Sequence, residues 1–434
     1  MQTPLTRRKF LQRTALGAAG FWIVRQQNAF GRTLSPNDKL NIGVLGVTGR
    51  AGEDLHEVKV TGQNIVALCD VDDDKLKAVA MNYPDAKTYN DFRRLIDQND
   101  IDAIVVGTPD HTHAVAAVAA IKSGRHVYCE KPLTHTVSEA RIVTELARKH
   151  KRVTQIGTQI HAGNNYRRVV ELVQTGAIGA VREVHVWAAA VYGGMDRPTD
   201  TPPVPAGLHY DLWLGPVEYR PYHPAYLPFK WRNWWAFGGG SLADFGCHFM
   251  DLPHWALGLR SPLTVEVVDG PPLHPESTPP WLIVRYEHPA RDTQPPVKLT
   301  WYHGGKHPSQ LTSEQYQQYR SGVLFMGEKG MLLSNYNSHA LLPEKDFADF
   351  VRPEPFIKKS IGHHKEWIEA CKTDGPTTCG FDYSGPLTET ALLGNVAYRV
   401  GKKLDWDAKN LKARNCPEAD QYIQHHYRKG WELE

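Results

Sequence analysis

Leu40-Asn41-Ile42-Gly43-Val44-Leu45-Gly46-Val47-Thr48-Gly49-Arg50-Ala51-Gly52 opens the stretch that decides the fold, and Cys69-Asp70 closes it. Leu40 to Leu45 is an apolar run stopped by glycine, Glu53 to Val60 has helical periodicity, and Asn64 to Cys69 is a second apolar run. Strand, glycine turn, helix and strand in that order begin a parallel βαβ unit. A full dinucleotide fingerprint would carry glycine at 46, 48 and 51; Gly46 fits, Thr48 departs, and Ala51 is small enough for close helix–strand packing. The turn alone reads equally as a plain tight turn. Its setting favours the dinucleotide reading, because helix N-terminal amides hold pyrophosphate. Asp70 ends the second strand, where a carboxylate accepts from ribose hydroxyls and repels a 2′-phosphate, arguing for NAD over NADP. The alternative for Asp70 is a solvated turn acid leading into Asp72, Asp73 and Asp74. Gly46, Thr48, Gly49, Arg50 and Asp70 are thus the first cofactor candidates.

The alternation continues outward. Ile101 to Val106, His126 to Cys129 and Thr154 to Ile156 read as further strands, with helices over Asp74 to Met81, Asp91 to Ile96, Thr112 to Lys122 and Val137 to Lys149. This predicts an α/β, doubly wound parallel sheet as a first domain over 37–158. Beyond it the texture changes. A helix over Tyr166 to Gln174 and a strand over Val181 to Ala189 precede a Pro- and aromatic-rich loop from Met195 to Phe229. Leu263 to Val268, Trp281 to Tyr286, Val297 to Tyr302 and Val323 to Met326 read as a mainly antiparallel sheet. Helices over His364 to Cys371 and Leu387 to Val400 close a second domain, 159–434. A chain of 434 residues suits two domains.

The first 36 residues read differently. Thr6-Arg7-Arg8-Lys9-Phe10-Leu11 precedes an apolar stretch, Ala15 to Val24, broken by Gly17 and Gly20. It is far short of the ~20 apolar residues of a membrane span. Residues 1–36 are expected to be a twin-arginine export signal and linker; a disordered basic terminus or an uncleaved anchor are the alternatives. Export by that machinery moves a folded protein to the periplasm or another exported location. Nicotinamide cofactors are not expected free there, so the protein would leave loaded and keep its cofactor. The six cysteines show no metal-type pairing, and folding in a reducing compartment predicts free thiols. A formal charge of +3, with Lys and Arg spread along the chain, argues against a nucleic-acid partner. Twelve Trp and eighteen Tyr supply either sugar-stacking faces or an aromatic core.

Two clusters carry the candidate chemistry. Thr108-Pro109-Asp110 follows the third strand at its ligand-binding carboxyl end, with His111 and His113 near the next helix start, where either also suits a helix cap. Glu130-Lys131-Pro132 follows the fourth strand. A lysine there would stand beside the positive nicotinamide, which lowers its pKa and suits proton relay. Pro132 invites a cis peptide that would aim Lys131 inward; an exposed strand-end Glu-Lys pair is the bland reading. The second cluster runs Gly238-Gly239-Gly240-Ser241-Leu242-Ala243-Asp244-Phe245-Gly246-Cys247-His248-Phe249-Met250-Asp251. In one helix, Asp244, His248 and Asp251 share a face, and a histidine flanked by carboxylates is an oriented proton acceptor. Against this, Ser241 and Asp244 suit a capping box, and Gly246 and Pro253 disfavour a single straight helix. Asp244, His248 and Asp251 also suit a metal site by spacing, but nothing else in the sequence supports one, and no metal is expected.

Together the turn, Thr-Pro, Glu-Lys-Pro, the Gly-rich Asp-His run and Phe325-Met326-Gly327-Glu328-Lys329-Gly330 resemble the glucose–fructose oxidoreductase, inositol dehydrogenase and rhizopine-catabolism (Gfo/Idh/MocA) family. The resemblance covers essentially the whole mature chain. It implies a Rossmann domain followed by an α+β domain with a large open sheet, NAD as cofactor, and Lys131, Asp244 and His248 lining the substrate pocket. Thr108, Pro109, His113, Glu130 and Lys131 join the cofactor candidates; His161, Tyr166, Trp234 and Trp235 are candidates for a sugar wall. The expected activity is oxidation of a sugar, glycoside or polyol hydroxyl with retained NAD. His248 would take the proton, Lys131 would polarise the forming carbonyl, and Asp244 would orient the relay. The rivals are an NAD-dependent glycoside hydrolase working by transient oxidation and elimination, and a non-catalytic periplasmic sugar-binding protein. An exposed face of the second sheet is the expected surface for homo-oligomers.

Overall fold

A computed structural model describes residues 38–424 and 426–433. The twin-arginine segment and the linker to Pro36 lie outside the described residues. The first sheet contains β1 (Asn41–Leu45), β2 (Asn64–Cys69), β3 (Lys87–Tyr89), β4 (Ala103–Val106), β5 (His126–Cys129) and β6 (Thr154–Ile156). Their order is β3-β2-β1-β4-β5-β6 with every neighbouring pair parallel. The chain reverses direction across the sheet between β1 and β4, so a crevice opens at their carboxyl ends, where ligands bind in such sheets. β1 and β4 are buried on both faces, as their unbroken apolar runs require. The expected β2, β5 and β6 match residue for residue, whereas β3, short and half exposed, carries no pattern to read. The helix Val137–Lys149 starts at a capping box: Glu139 accepts from the Thr136 amide at 2.9 Å, and Thr136 accepts from the Glu139 amide at 3.4 Å.

The second sheet has nine strands: β7 (Val181–Ala188), β8 (Thr264–Asp269), β9 (Leu282–His288), β10 (Val297–His303), β11 (Gly322–Gly327), β12 (Gly330–Ser334), β13 (His339–Leu342), β14 (Leu404–Asp407) and β15 (Lys412–Ala413). The order is β13-β12-β11-β7-β10-β9-β8-β14-β15, antiparallel except for β7 against β10. Val184, Val186, Leu299, Trp301, Val323 and Phe325 turn inward onto the helices, in the main core. On the outward face, Leu311 and Tyr319 cover Trp187, Leu324 and Leu333. The other half of that face carries ion pairs, Lys298 to Glu183 at 3.7 Å and Arg285 to Glu266 at 3.8 Å. Self-association on that half would therefore meet charge rather than apolar surface.

Three departures from the sequence reading matter for the site. The helix Gly240–Phe249 stops before a second helix, Asp251–Leu257 that contains Pro253, so Asp251 leaves the face shared by Asp244 and His248. The aromatic-rich loop is not structureless: it contains the helix Tyr210–Leu214, and Tyr210, Trp213, Tyr226, Trp231, Trp234 and Phe237 form a core of their own. The helix His363–Thr373 packs Trp367, Ile368 and Cys371 against Val44, Leu55 and Tyr128. A segment from the far end of the chain thus completes the first domain's core, and no single cut near residue 158 separates the two. All six cysteines are buried free thiols. Among the described residues no helix is long and apolar enough to cross a membrane.

Candidate active site

A cavity of about 590 Å³ lies along the carboxyl edge of the first sheet. Gly46, Thr48, Gly49, Arg50, Asp70, Thr108, Pro109, His113, Glu130 and Lys131 all line it, which brings together every cofactor candidate read from the sequence. The absent third glycine has a physical account. Gly46 and Gly49 take φ of +82° and +59°, so the left-handed residue needed before the helix stands at 49 rather than 48. At Gly46 a Cβ would come within 3.1 Å of the Gly107 carbonyl oxygen. The helix Arg50–Val60 has no side-chain cap, leaving its first amides turned to the cavity beside Gly49. Asp70 accepts from the Val47 amide and from the Asp72 amide, both at 3.1 Å, which fixes its carboxylate against the glycine turn. Burial raises its pKa, and these two bonds oppose the rise. The donor set fits a dinucleotide: uncapped amides, two glycines and a strand-end carboxylate.

Behind the turn, Arg50 donates from Nε to Glu130 at 3.1 Å and reaches Asp54 at 3.0 Å, and Gln159 donates to Glu130 at 2.9 Å. Burial pushes Glu130 up to about 8 and Asp54 up to about 7, against the pull of Arg50. Gly157 gives Glu130 its room, since a Cβ there would stand 2.1 Å from Oε1 and force the carboxylate to move. The two histidines of the following segment do not cap a helix. The ring nitrogens of His113 lie 2.7 and 2.8 Å from the carbonyl oxygens of Thr108 and Pro132. Those of His111 lie 2.8 and 3.3 Å from the carbonyls of Trp213 and Phe237, tying the first domain to the second.

The Lys131-Pro132 peptide is cis, as the sequence suggested. The Lys131 ammonium donates to Asp244 Oδ1. The Tyr192 hydroxyl donates to Asp244 Oδ2 at 2.9 Å, and Arg232 Nε stands 3.4 Å from the same oxygen. Burial alone would raise the Asp244 pKa; Lys131 and Arg232 outweigh it and hold the carboxyl well below the usual range. No side chain caps this helix, so the capping-box reading of Ser241 and Asp244 is corrected. Ser241 instead donates to the Ala190 carbonyl at 3.2 Å. His248 follows one turn after Asp244. Burial, reinforced by Lys131, drives its pKa well down, so the imidazole is neutral, and its Nδ1 is buried without a hydrogen-bond partner. Neither carboxylate orients it, contrary to the shared-face expectation. Asp251 is held elsewhere, facing His161 Nδ1 at 2.9 Å and accepting from the Tyr383 hydroxyl at 2.6 Å. Cys379 lies close to this pair, with its ligand atom and theirs all within 4.8 Å of one another.

The four side chains expected to wall a sugar are core instead. His161 is engaged with Asp251 and stacks on Trp255 at 4.0 Å, and Tyr166 donates to the His248 carbonyl at 3.3 Å. Trp234 and Trp235 are buried, with indole N–H bonds to Ala225 and His274. Phe229, Trp231 and Arg232 line the cavity instead, and Tyr192 bonds to Asp244; the sequence reading missed all four. The only signal was the Trp231-Arg232 pair just before the glycine run; Tyr192 had none. The cleft is roofed by Leu208, Leu212, Trp213, Leu227, Pro228 and, from the chain's other end, Trp431. Arg428 fastens that end by pairing with Asp211 and donating to the Gly215 carbonyl at 3.1 Å. The Arg93 guanidinium lies 4.5 Å over the Trp431 ring.

Residues 40–158 match an oxidoreductase family described as an NAD-binding Rossmann fold (Gfo/Idh/MocA), and residues 163–293 match its C-terminal alpha/beta domain. An inositol 2-dehydrogenase of Salmonella typhimurium is 31% identical over 150 residues, 34% of this chain and 45% of that protein. A glycosyl hydrolase family 109 protein of Solibacter usitatus is 31% identical over 191 residues, 40% of this chain and 43% of that one. The chain thus spans less than half the length of these curated relatives. Among solved structures, the WlbA dehydrogenase of Bordetella pertussis, in complex with NADH and UDP-GlcNAcA, superposes with a TM-score of 0.60 at 17% identity, covering 86% of this chain and 98% of that one. A levoglucosan dehydrogenase, in complex with NADH and levoglucosan, gives 0.58 at 16% identity, covering 85% and 99%. At such identities these two structures establish the fold alone.

Proposed function

The chain belongs to the Gfo/Idh/MocA oxidoreductase family, with its NAD-binding Rossmann domain, and on that premise we propose that it oxidises a hydroxyl of a sugar, glycoside or polyol with an NAD it retains. The observation that carries this reading is the Lys131–Asp244 pair at one end of the dinucleotide cleft, with His248 one turn along the same helix. NAD, when bound, supplies the hydride acceptor. Gly46, Gly49 and the first amides of the helix Arg50–Val60 would hold its pyrophosphate, and Asp70 its ribose hydroxyls. His248, neutral because it is buried, takes the proton of the reacting hydroxyl. Lys131 donates a hydrogen bond to the same oxygen as it becomes a carbonyl. Asp244 acts on Lys131 rather than on His248: it accepts from the ammonium and holds it in place.

Retention and export remain part of the reading. The roof from the aromatic insertion and Trp431 supports retention, because a cofactor in the cleft would be covered from two distant parts of the chain. The arginine pair at 7 and 8 and its apolar sequel support export to the periplasm or another exported location. A second reading, glycoside cleavage by transient oxidation and elimination, is favoured by the relative in glycosyl hydrolase family 109. It needs the same residues and leaves no net NADH. The experiment uses the purified protein with whatever nucleotide accompanies it. Sugars and glycosides are added, and reduced nicotinamide and released free sugar are followed together. Reduction alone supports the dehydrogenase, and free sugar without reduction supports the hydrolase. Neither product from any compound of a broad panel removes the enzyme reading in favour of a binding protein.

A further inference from the structure

One cation at this site is unused by the mechanism just described. Arg232 has a side chain only 15% exposed, yet its Nε is buried with no hydrogen-bond partner. None of its N–H groups hydrogen-bonds within the described residues. Among the described residues its one ion pair is the 3.4 Å approach to Asp244, whose oxygens already accept from Lys131 and Tyr192. The guanidinium carbon lies 4.0 Å from the Trp231 ring centroid and 4.8 Å from that of Phe229. It lines the cavity beside Lys131 and Asp110. A planar fork of five donors, packed near two aromatic rings and with no hydrogen-bonded acceptor among the described residues, suits a bidentate planar oxyanion.

The charges agree. Lys131 and Arg232 are two cations, and Asp244 is the ionised carboxylate between them. Asp110 is fully buried, and burial drives its carboxyl toward the neutral form against the pull of Arg232. His113 and His248 are kept neutral by burial. Glu130 and Asp54 are engaged with Arg50 at the back of the cleft. The side chains at the reacting end of the site therefore sum to one positive charge, with Arg232 the cation that no acceptor hydrogen-bonds among the described residues. A monoanion fits this balance. A phosphate dianion would need a second free cation, and Lys131 is committed to Asp244.

Resting on the oxidation reading above, the geometry points to Arg232 as a substrate-carboxylate anchor, so that the natural substrate is a sugar acid, such as a uronate or a uronide. The test pairs glucose, galactose and mannose with their uronates, and adds glucose 6-phosphate. Reduction of cofactor held by the wild-type protein is the readout. A charge-assisted pair of this kind corresponds to a preference of at least ~10-fold in kcat/KM for the acids, falling in R232L. Equal or better reaction of the neutral sugars overturns the inference and leaves the oxidation reading standing; preference for the phosphate likewise overturns the carboxylate assignment. If nothing in the panel is oxidised, the oxidation reading fails on its own. Calorimetric binding of the uronates to cofactor-loaded protein then decides Arg232 separately: binding that is weakened in R232L supports the anchor. Absence of uronate binding, or binding unchanged in R232L, overturns it.

Discussion

Replacing Asp244 with Asn separates an electrostatic role from a merely structural one. The side chain is almost fully buried, and it is the ionised group between Lys131 and Arg232. Asn keeps the shape and can still accept from Tyr192, so the change removes charge and little else. Leaving buried cations unpaired costs about 3–5 kcal/mol, against ~1 kcal/mol had Asp244 been only a helix cap. The sign with pH follows from its depressed folded-state pKa. The stabilisation is complete above the unfolded value of about 3.9 and is lost as pH falls through the lower folded value. Urea denaturation followed by tryptophan fluorescence should show D244N weakened by about 3–5 kcal/mol at pH 7. That gap should begin to narrow as pH falls below the unfolded value of about 3.9 and should close as pH passes the lower folded value. Single-turnover reduction of the cofactor should fall by ~10²-fold or more, because the lysine loses its anchor. A penalty near 1 kcal/mol with turnover intact would refute the reasoning, as would a penalty that stays constant down to complete acid unfolding.

Other perturbations test the remaining parts. Lys131→Ala and His248→Ala should each cut hydride transfer by ~10²–10⁴-fold while NAD still binds; losses below about tenfold in stopped-flow reduction would mean the residue does not handle the proton. Asp70→Ala should raise NADP affinity relative to NAD by removing the carboxylate set against the glycine turn, and a wild-type preference for NADP in apo-protein titrations would contradict the assignment. Protein recovered after export should contain near-stoichiometric NAD(H). Trp431→Ala should speed its release by ~10-fold, the scale of one aromatic side chain's burial, and an unchanged rate by dilution into fluorescence buffer would show that the roof does not retain the cofactor.

The two domains differed in how much of them was legible. In the first, strands buried on both faces read as continuous apolar runs, and the glycine turn, Asp70 and the Glu130-Lys131-Pro132 motif follow strand ends in order. Local pattern was enough to bring all ten cofactor candidates to one cavity. Strands β12 to β15, at the two ends of the second sheet, are only two to five residues long, too short for a pattern to stand out from the sequence around it. What the linear chain determined by itself was the family, the parallel sheet and the dinucleotide turn; Lys131, Asp244 and His248 were singled out as candidates. Which partner each of these meets was decided by tertiary structure. Asp244 takes Lys131, Tyr192 and Arg232 rather than His248; Asp251 goes to His161 and Tyr383; His363–Thr373 returns to complete the first core. Spacing along one helix specifies only a shared direction. Contacts between Lys131, Tyr192 and Asp244, distant in sequence, depend on how separate cores pack, and no local pattern encodes that.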